Sequence, residues 1–544
     1  MKTAKLNDYD LYLFHHGTNY HAHEMFGAHF VERDGKKGVR FALWAPQAKA
    51  VSVVGNFPSH AMTRLDDGET WEIFVEGLSV GDTYQYAVLP QNGETIQLQD
   101  DPYGFCASKL YDLEGYNWTD DEWQKRKNRQ ISYTHPMLIY EVDAGSWRNG
   151  LSWRELTEQL IPYAAEMNYT HIEFMSLTEQ PFALTVKHGE PNDFRHFVET
   201  AHENNIGVIM DWNCAGDVDY GRAEMQSNLL TNALFWLEQF HIDGLRIDGV
   251  ANMLYLNCDA VEFLKRLNET VFKHHPQALM MVREAANATP AHMGFNYKWN
   301  AGWLSDVLDY VSLDPVYRKW NHDRITFSFR DAFAENFILP LSHEVVSGTR
   351  SLIEKMPGDY WQKFAGLRCF FGYWMAHPGK KLLFMGGEFG QFSEWNAGGE
   401  LDWFLVDQYE KHAQMKNYSR ALNKFYRENK ALWQLDFERA GFQWIDCNDN
   451  DNSVITFLRK AENGDDYLIA LCNFTPEVRH GYRIGVPNRG EYVEVFNSDA
   501  EEFGGSGVTN SDKILAEDIP WHDRNHSIAL TVPPLAVIFL ARGC

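Results

Sequence analysis

The sequence predicts an α/β protein, a closed (β/α)8 barrel flanked by an N-terminal and a C-terminal β-sandwich. Three observations predict it. Residues 38–88 hold four short alternating runs, "VRFALWAP", "AVSVVGNF", "TWEIFVEG" and "TYQYAVLP", each closed by Gly, Pro or Asn, the pattern of a small sandwich. From about residue 137, strand-like and helix-like segments alternate for ~290 residues, enough for eight strand–helix units. After a last helix at 417–429, β patterns return.

Within the alternation, "MLIYEVDAG" reads as a buried strand and "SWRELTEQLIPYAAEMN" as a helix behind a Ser cap. Strand "THIEFMSL", helix "EPNDFRHFVETAHENN" and strand "IGVIMDWN" follow. A helix over 221–240 leads to "GLRIDGV", and another over 259–274 leads to "ALMMVREA". Strand "FILPLSHE", a helix across "DYWQKFAGLRCFFGYWMA" and strand "KKLLFMGG" complete the series. The C-terminal sandwich is read from "SVITFLRK", "DYLIALCNF", "YVEVFNS" and "SIALTVPPLAVIFLA". The expected divisions are 1–115, 116–435 and 436–544.

Composition narrows the function classes. A net charge of −26 would repel a phosphate backbone, so nucleic acid is not an expected partner. No run of about 18 apolar residues exists to span a membrane, and "MKTAKLNDYD" has no apolar signal region, so the expected location is the cytoplasm. Seven cysteines are scattered without C-x-x-C spacing, which fits reduced thiols rather than disulfides or a zinc site. Aromatics reach 14% and suit sugar faces, but each of Trp44, Trp71, Tyr84 and Tyr86 in the N-terminal strands is read as core. The glycine run 386–390 is no phosphate cradle, because no helix-opening Lys-Ser/Thr follows.

Acids mark the candidate site. Barrel enzymes carry catalytic groups where strands end. Asp211 in "VIMDWN", Asp248 in "LRIDGV" and Glu284 in "MVREAA" close apolar runs, where an ionised group needs a partner or a task. Arg246 lies two residues before Asp248, on the same strand face, where its guanidinium would keep Asp248 charged. Paired carboxylates at a barrel rim suit retaining glycoside chemistry, with the two groups ~5–5.5 Å apart.

At these residues the chain resembles the bacterial 1,4-α-glucan (glycogen) branching enzymes of the α-amylase superfamily. The likeness is carried by "YEVDAGSWR", "GLRIDGVANMLY", "GFNYKWNAGWLSDVLDY", "SLIEKMPGDYWQKFAGLR", "AHPGKKLLFMGGEFGQFSEWN" and "ELDWF". It implies a glucan-binding-type N-terminal sandwich, transfer of a cut α-1,4 chain to a 6-hydroxyl, a glycogen or amylose partner, and no metal or organic cofactor. By motif it implies Asp248 as nucleophile, Glu284 as acid/base, and Arg246, Asp211 and His343 as supporting or substrate-binding groups.

The chain departs from that pattern on its loops. Where the family reads His-Asp-Glu before two valines, this chain reads His343-Glu344-Val345. Either Glu344 reaches into the place of the aspartate, or it is the family's second acid and the aspartate is gone. The histidine expected after Asp211 is replaced near Gly216, and segments are missing after "SLTEQPF" and after "MLYLN". Three functions remain open here: a branching enzyme, a catalytically impaired glucan-binding paralogue, and an α-glucan hydrolase.

Overall fold

The computed structural model of the chain describes residues 6–543 apart from 94, 106–107, 214–217, 257–258, 284–289, 349 and 512. Eight parallel strands close into a barrel. We label them β1 (Leu138–Val142), β2 (His171–Phe174), β3 (Gly207–Trp212), β4 (Gly244–Ile247), β5 (Leu279–Val282), β6 (Tyr297–Trp299), β7 (Phe337–Leu341) and β8 (Lys380–Phe384). β8 pairs with β1, so the barrel has no free edge.

The intervening helices form where the apolar spacing predicts them. Trp153–Glu166 starts at Ser152, whose hydroxyl accepts from the Glu155 N–H while the Glu155 carboxylate accepts from the Ser152 N–H, a closed capping box. Helices Pro191–Glu203, Ala223–Gln239, Ala260–His274 and Tyr360–Ala376 follow. The first three present an apolar stripe to the strands. Tyr360–Ala376 is buried nearly all round, because the C-terminal sandwich covers its outer side. The sixth strand, only three residues long and followed after Asn300 by helix Ala301–Val311, has no counterpart in the periodicity.

Each flanking sandwich keeps its own core. Four-stranded sheets around Lys36–Trp44 and Ala48–Gly55 enclose Trp71, Tyr84 and Tyr86, all buried, so these rings are core as expected. Trp44 is partly buried between Phe14 and the Arg222 guanidinium, at the junction with the barrel. The C-terminal sandwich sets a six-stranded sheet against the pair Arg479–Val486 and His526–Val532. It is tied to the barrel through fully buried Asp436, which lies 3.0 Å from the Lys380 ammonium of β8 and 2.7 Å from Arg459 of the sandwich. Cys369, Cys447 and Cys472 are free thiols. Among the described residues no helix is long and apolar enough to cross a membrane.

Candidate active site

The site is built around one cation. Arg246 points into the barrel interior from β4, fully buried, with its guanidinium 4.6 Å from the Trp299 ring on β6. Its Nε lies 2.7 Å from Glu173 Oε1 on β2 and its Nη2 2.7 Å from Asp211 Oδ2 on β3. Glu141 on β1 stands 3.9 Å away. These contacts are ionic rather than well-directed hydrogen bonds. Register explains the convergence, since Asp211 pairs with Arg246 and Glu141 with Glu173 across neighbouring strands.

Burial sets the electrostatics. It pushes the Asp211 carboxyl up to about 6, Arg246 opposing and Asp248 and Glu141 adding to the rise. Glu173 also moves upward, from burial above all, with Arg246 opposing. Burial alone would lower Arg246, but Asp211, Glu173 and Glu141 outweigh it and hold the guanidinium charged. Asp211 Oδ1 is buried and has no hydrogen-bond partner among the described residues.

Above this layer lies the open rim. Asp248 follows β4 directly, and Arg246 Nη1 reaches it only at 3.9 Å. The nearer cation is Arg283, one residue beyond β5, whose Nη1 lies 3.2 Å from both Asp248 oxygens. Its Nη2 contacts Glu344 Oε1. His343 takes no part in that cluster. Its backbone N–H donates to Glu141 Oε2 at 2.9 Å, and its Nδ1 lies 2.7 Å from Glu141 Oε1. Burial would lower the imidazole's affinity for a proton, but the bond to Glu141 reverses this and raises it. The ring sits edge-on to Phe384 and Trp395.

Asp211, Arg246, Asp248, His343 and Glu344 are thus brought to one end of the barrel, the end where strands finish. Glu284, and with it the expected spacing to Asp248, lies outside the described residues, as does the 214–217 segment. Sequence reasoning missed Glu141, Glu173 and Arg283. The first two are acids inside apolar strands, the same signal that exposed Asp211. The shortened rim is visible as well. Only residues 213–222 separate β3 from its helix, and helix Val250–Leu256 is followed at once by Ala260–His274. After β2 the chain does not run straight to a helix. It folds a small hairpin, Thr178–Gln180 with Ala183–Leu184, because Leu177, Phe182 and Leu184 bury their side chains against the barrel shell.

No metal site is built at this rim from the described residues, since Asp211, Asp248 and Glu344 already face arginines. One carboxylate–histidine group elsewhere, His15, Glu69 and Glu224, lies at the N-terminal junction, where His15 engages Asp67 and Glu224. The 386–390 glycines serve a turn. Gly386 and Gly390, both at positive φ, flank a turn that buries Glu388 under hydroxyls of Tyr140 and Tyr163.

Residues 25–104 match the carbohydrate-binding module 48 (isoamylase N-terminal domain), and residues 444–543 match the alpha amylase C-terminal all-beta domain. A Paenibacillus barengoltzii pullulanase solved with maltotetraose shares the fold, with a TM-score of 0.72 over 95% of each chain at 16% identity. Fold and site together define a barrel protein of the α-amylase superfamily with a carbohydrate-binding-type module at its N-terminus. The chain is 45% identical to the 1,4-alpha-glucan branching enzyme GlgB of Halothermothrix orenii, over 99% of both chains. It is 42% identical to that of Aquifex aeolicus, also over 99% of both. The chain belongs to the family of 1,4-alpha-glucan branching enzymes. Its alignment with the H. orenii enzyme occupies 626 positions where this chain supplies 544 residues, so the relative carries segments that are missing here.

Proposed function

We propose that this protein is a glycogen branching enzyme, a transferase that cuts an α-1,4 link and rejoins the chain through a 6-hydroxyl. End-to-end identity with named branching enzymes carries the reading. Asp248 is the nucleophile. One of its oxygens bonds to the anomeric carbon as the α-1,4 bond breaks, and Glu284 protonates the departing O4. Glu284 then takes the proton of an acceptor 6-hydroxyl, whose oxygen displaces Asp248 and restores the α configuration. Arg246 and the Glu141–His343 pair hold the floor, and Asp211 accepts from sugar hydroxyls. The three functional units are 1–115, 116–435 and 436–544, acting on an α-glucan polymer in the cytoplasm.

The test is incubation with amylose, followed by iodine colour, reducing ends and chain lengths after debranching. Colour loss without new reducing ends is expected, and Asp248→Ala should lower the rate by at least about 10⁴-fold. New reducing ends would mean hydrolysis. Unchanged amylose with retained binding to glycogen would mean a glucan-binding protein.

A further inference from the structure

Arg283 occupies the space that the chemistry needs. Its Nη1 is equidistant, at 3.2 Å, from the two oxygens of Asp248. Equal distances place Nη1 in the plane midway between the two oxygens, and the acceptor angle keeps it on the side away from the carboxyl carbon, in front of their lone pairs. A carboxylate attacks a sugar through such a lone pair, with the anomeric carbon ~3–3.5 Å away. Guanidinium nitrogen and anomeric carbon therefore compete for one position. Asp248 keeps a second cation below it, Arg246 at 3.9 Å.

Glu344 supplies the other half. Its carboxylate holds Arg283 Nη2 while Nη1 faces Asp248, so one guanidinium bridges two acids. The side chains of Asp248, Glu344 and Arg283 are 37%, 36% and 24% exposed. Ion pairs this open to water are weak and readily exchanged.

We propose that Arg283 is a toggle on the nucleophile, resting on the reading of Asp248 given above. In the free protein it caps Asp248. When a glucan enters, it gives up Asp248 and stays docked on Glu344. Glu344 is then the dock of the toggle and does not replace the missing aspartate.

The experiment is alkylation by an α-glucose-configured cyclitol epoxide. The Asp248 carboxylate forms an ester as an epoxide C–O bond opens and its oxygen takes up a proton. Adduct on the Asp248 peptide is followed by mass spectrometry. Arg283→Ala and, as a stem-preserving second variant, Arg283→Met should both label about two- to fivefold faster than the parent, with unchanged circular dichroism. Raising salt from about 0.1 M to about 1 M, where the screening length falls from about 10 to about 3 Å, should speed the parent but neither variant. Glu344→Gln should slow labelling when Arg283 is present and have no effect when it is absent. Equal or slower labelling of both Arg283 variants, or an effect of Glu344→Gln that persists without Arg283, would overturn the toggle. Labelling requires no acceptor chain. A parent that labels but leaves amylose unbranched defeats the branching reading alone, and normal branching with unaccelerated Arg283 variants defeats the toggle alone.

Discussion

Replacing Glu173 by Ala would leave the fully buried Arg246 without its Nε partner in the middle of the barrel. Breaking a buried pair costs ~3–5 kcal/mol where the charge is left uncompensated, and this loss should fall at or below that range because Asp211 still faces Nη2. Glu173→Gln mimics the protonated carboxyl toward which burial already pushes this group, so it should cost much less. A denaturant midpoint for each variant checks the ordering, and equal midpoints would refute it. At this scale the sequence was half legible. An acid closing an apolar run betrays itself, as Asp211 and Asp248 did. Glu141 and Glu173 obey the same rule deeper in β1 and β2, where the apolar run hides them. Arg283 carried no signal, because an arginine just past a strand end is ordinary until a neighbour's carboxylate is seen in front of it.

Elements that declare their own ends were read most closely. The Ser152 box fixes the start of helix Trp153–Glu166. Ser152→Ala should destabilise the protein by ~1 kcal/mol, read as a lower thermal or denaturant midpoint. No change would mean that packing of Trp153 and Leu156 alone sets the helix start. Where an element lacks such marks, reading failed. β6 is three residues long, too short for any period to register. Strands Phe442–Asp449 and Arg479–Val486 expose much of their length and break register, so their alternation is blurred. The last barrel helix begins at Glu410, earlier than its apolar spacing suggested, because its first turns are largely polar.

For the whole molecule, the three-part plan was legible from rhythm alone, while the contacts that join the parts were not. Beneath the barrel, opposite the rim, buried His202 lies between Asp120 (2.8 Å) and Asp243 (3.0 Å), with Lys127 and Trp123 also on Asp243. Burial would lower the imidazole, yet the two carboxylates raise it. Both acids are depressed against their burial, Asp120 by His202, His241 and Gln124, and Asp243 by Lys127, His202 and Trp123. The raised histidine stabilises fully below its unfolded value of ~6.5, and that share is lost as pH climbs through the folded value. The acids' share is present above ~3.8 and disappears on acidification. Urea midpoints between about pH 6 and 9 should therefore fall for the parent and stay flatter for His202→Gln. Parallel curves would count against this network. Besides facing Asp436, the Lys380 ammonium donates to the carbonyls of Tyr133, His135 and Trp433, and Arg459 to those of Ala376 and Leu432. Trimming the polypeptide at residue 435 would delete the aspartate and Arg459 together and lay bare the apolar outer side of helix Tyr360–Ala376. The tail is therefore no detachable accessory, and a shortened version should precipitate rather than survive as a minimal catalyst.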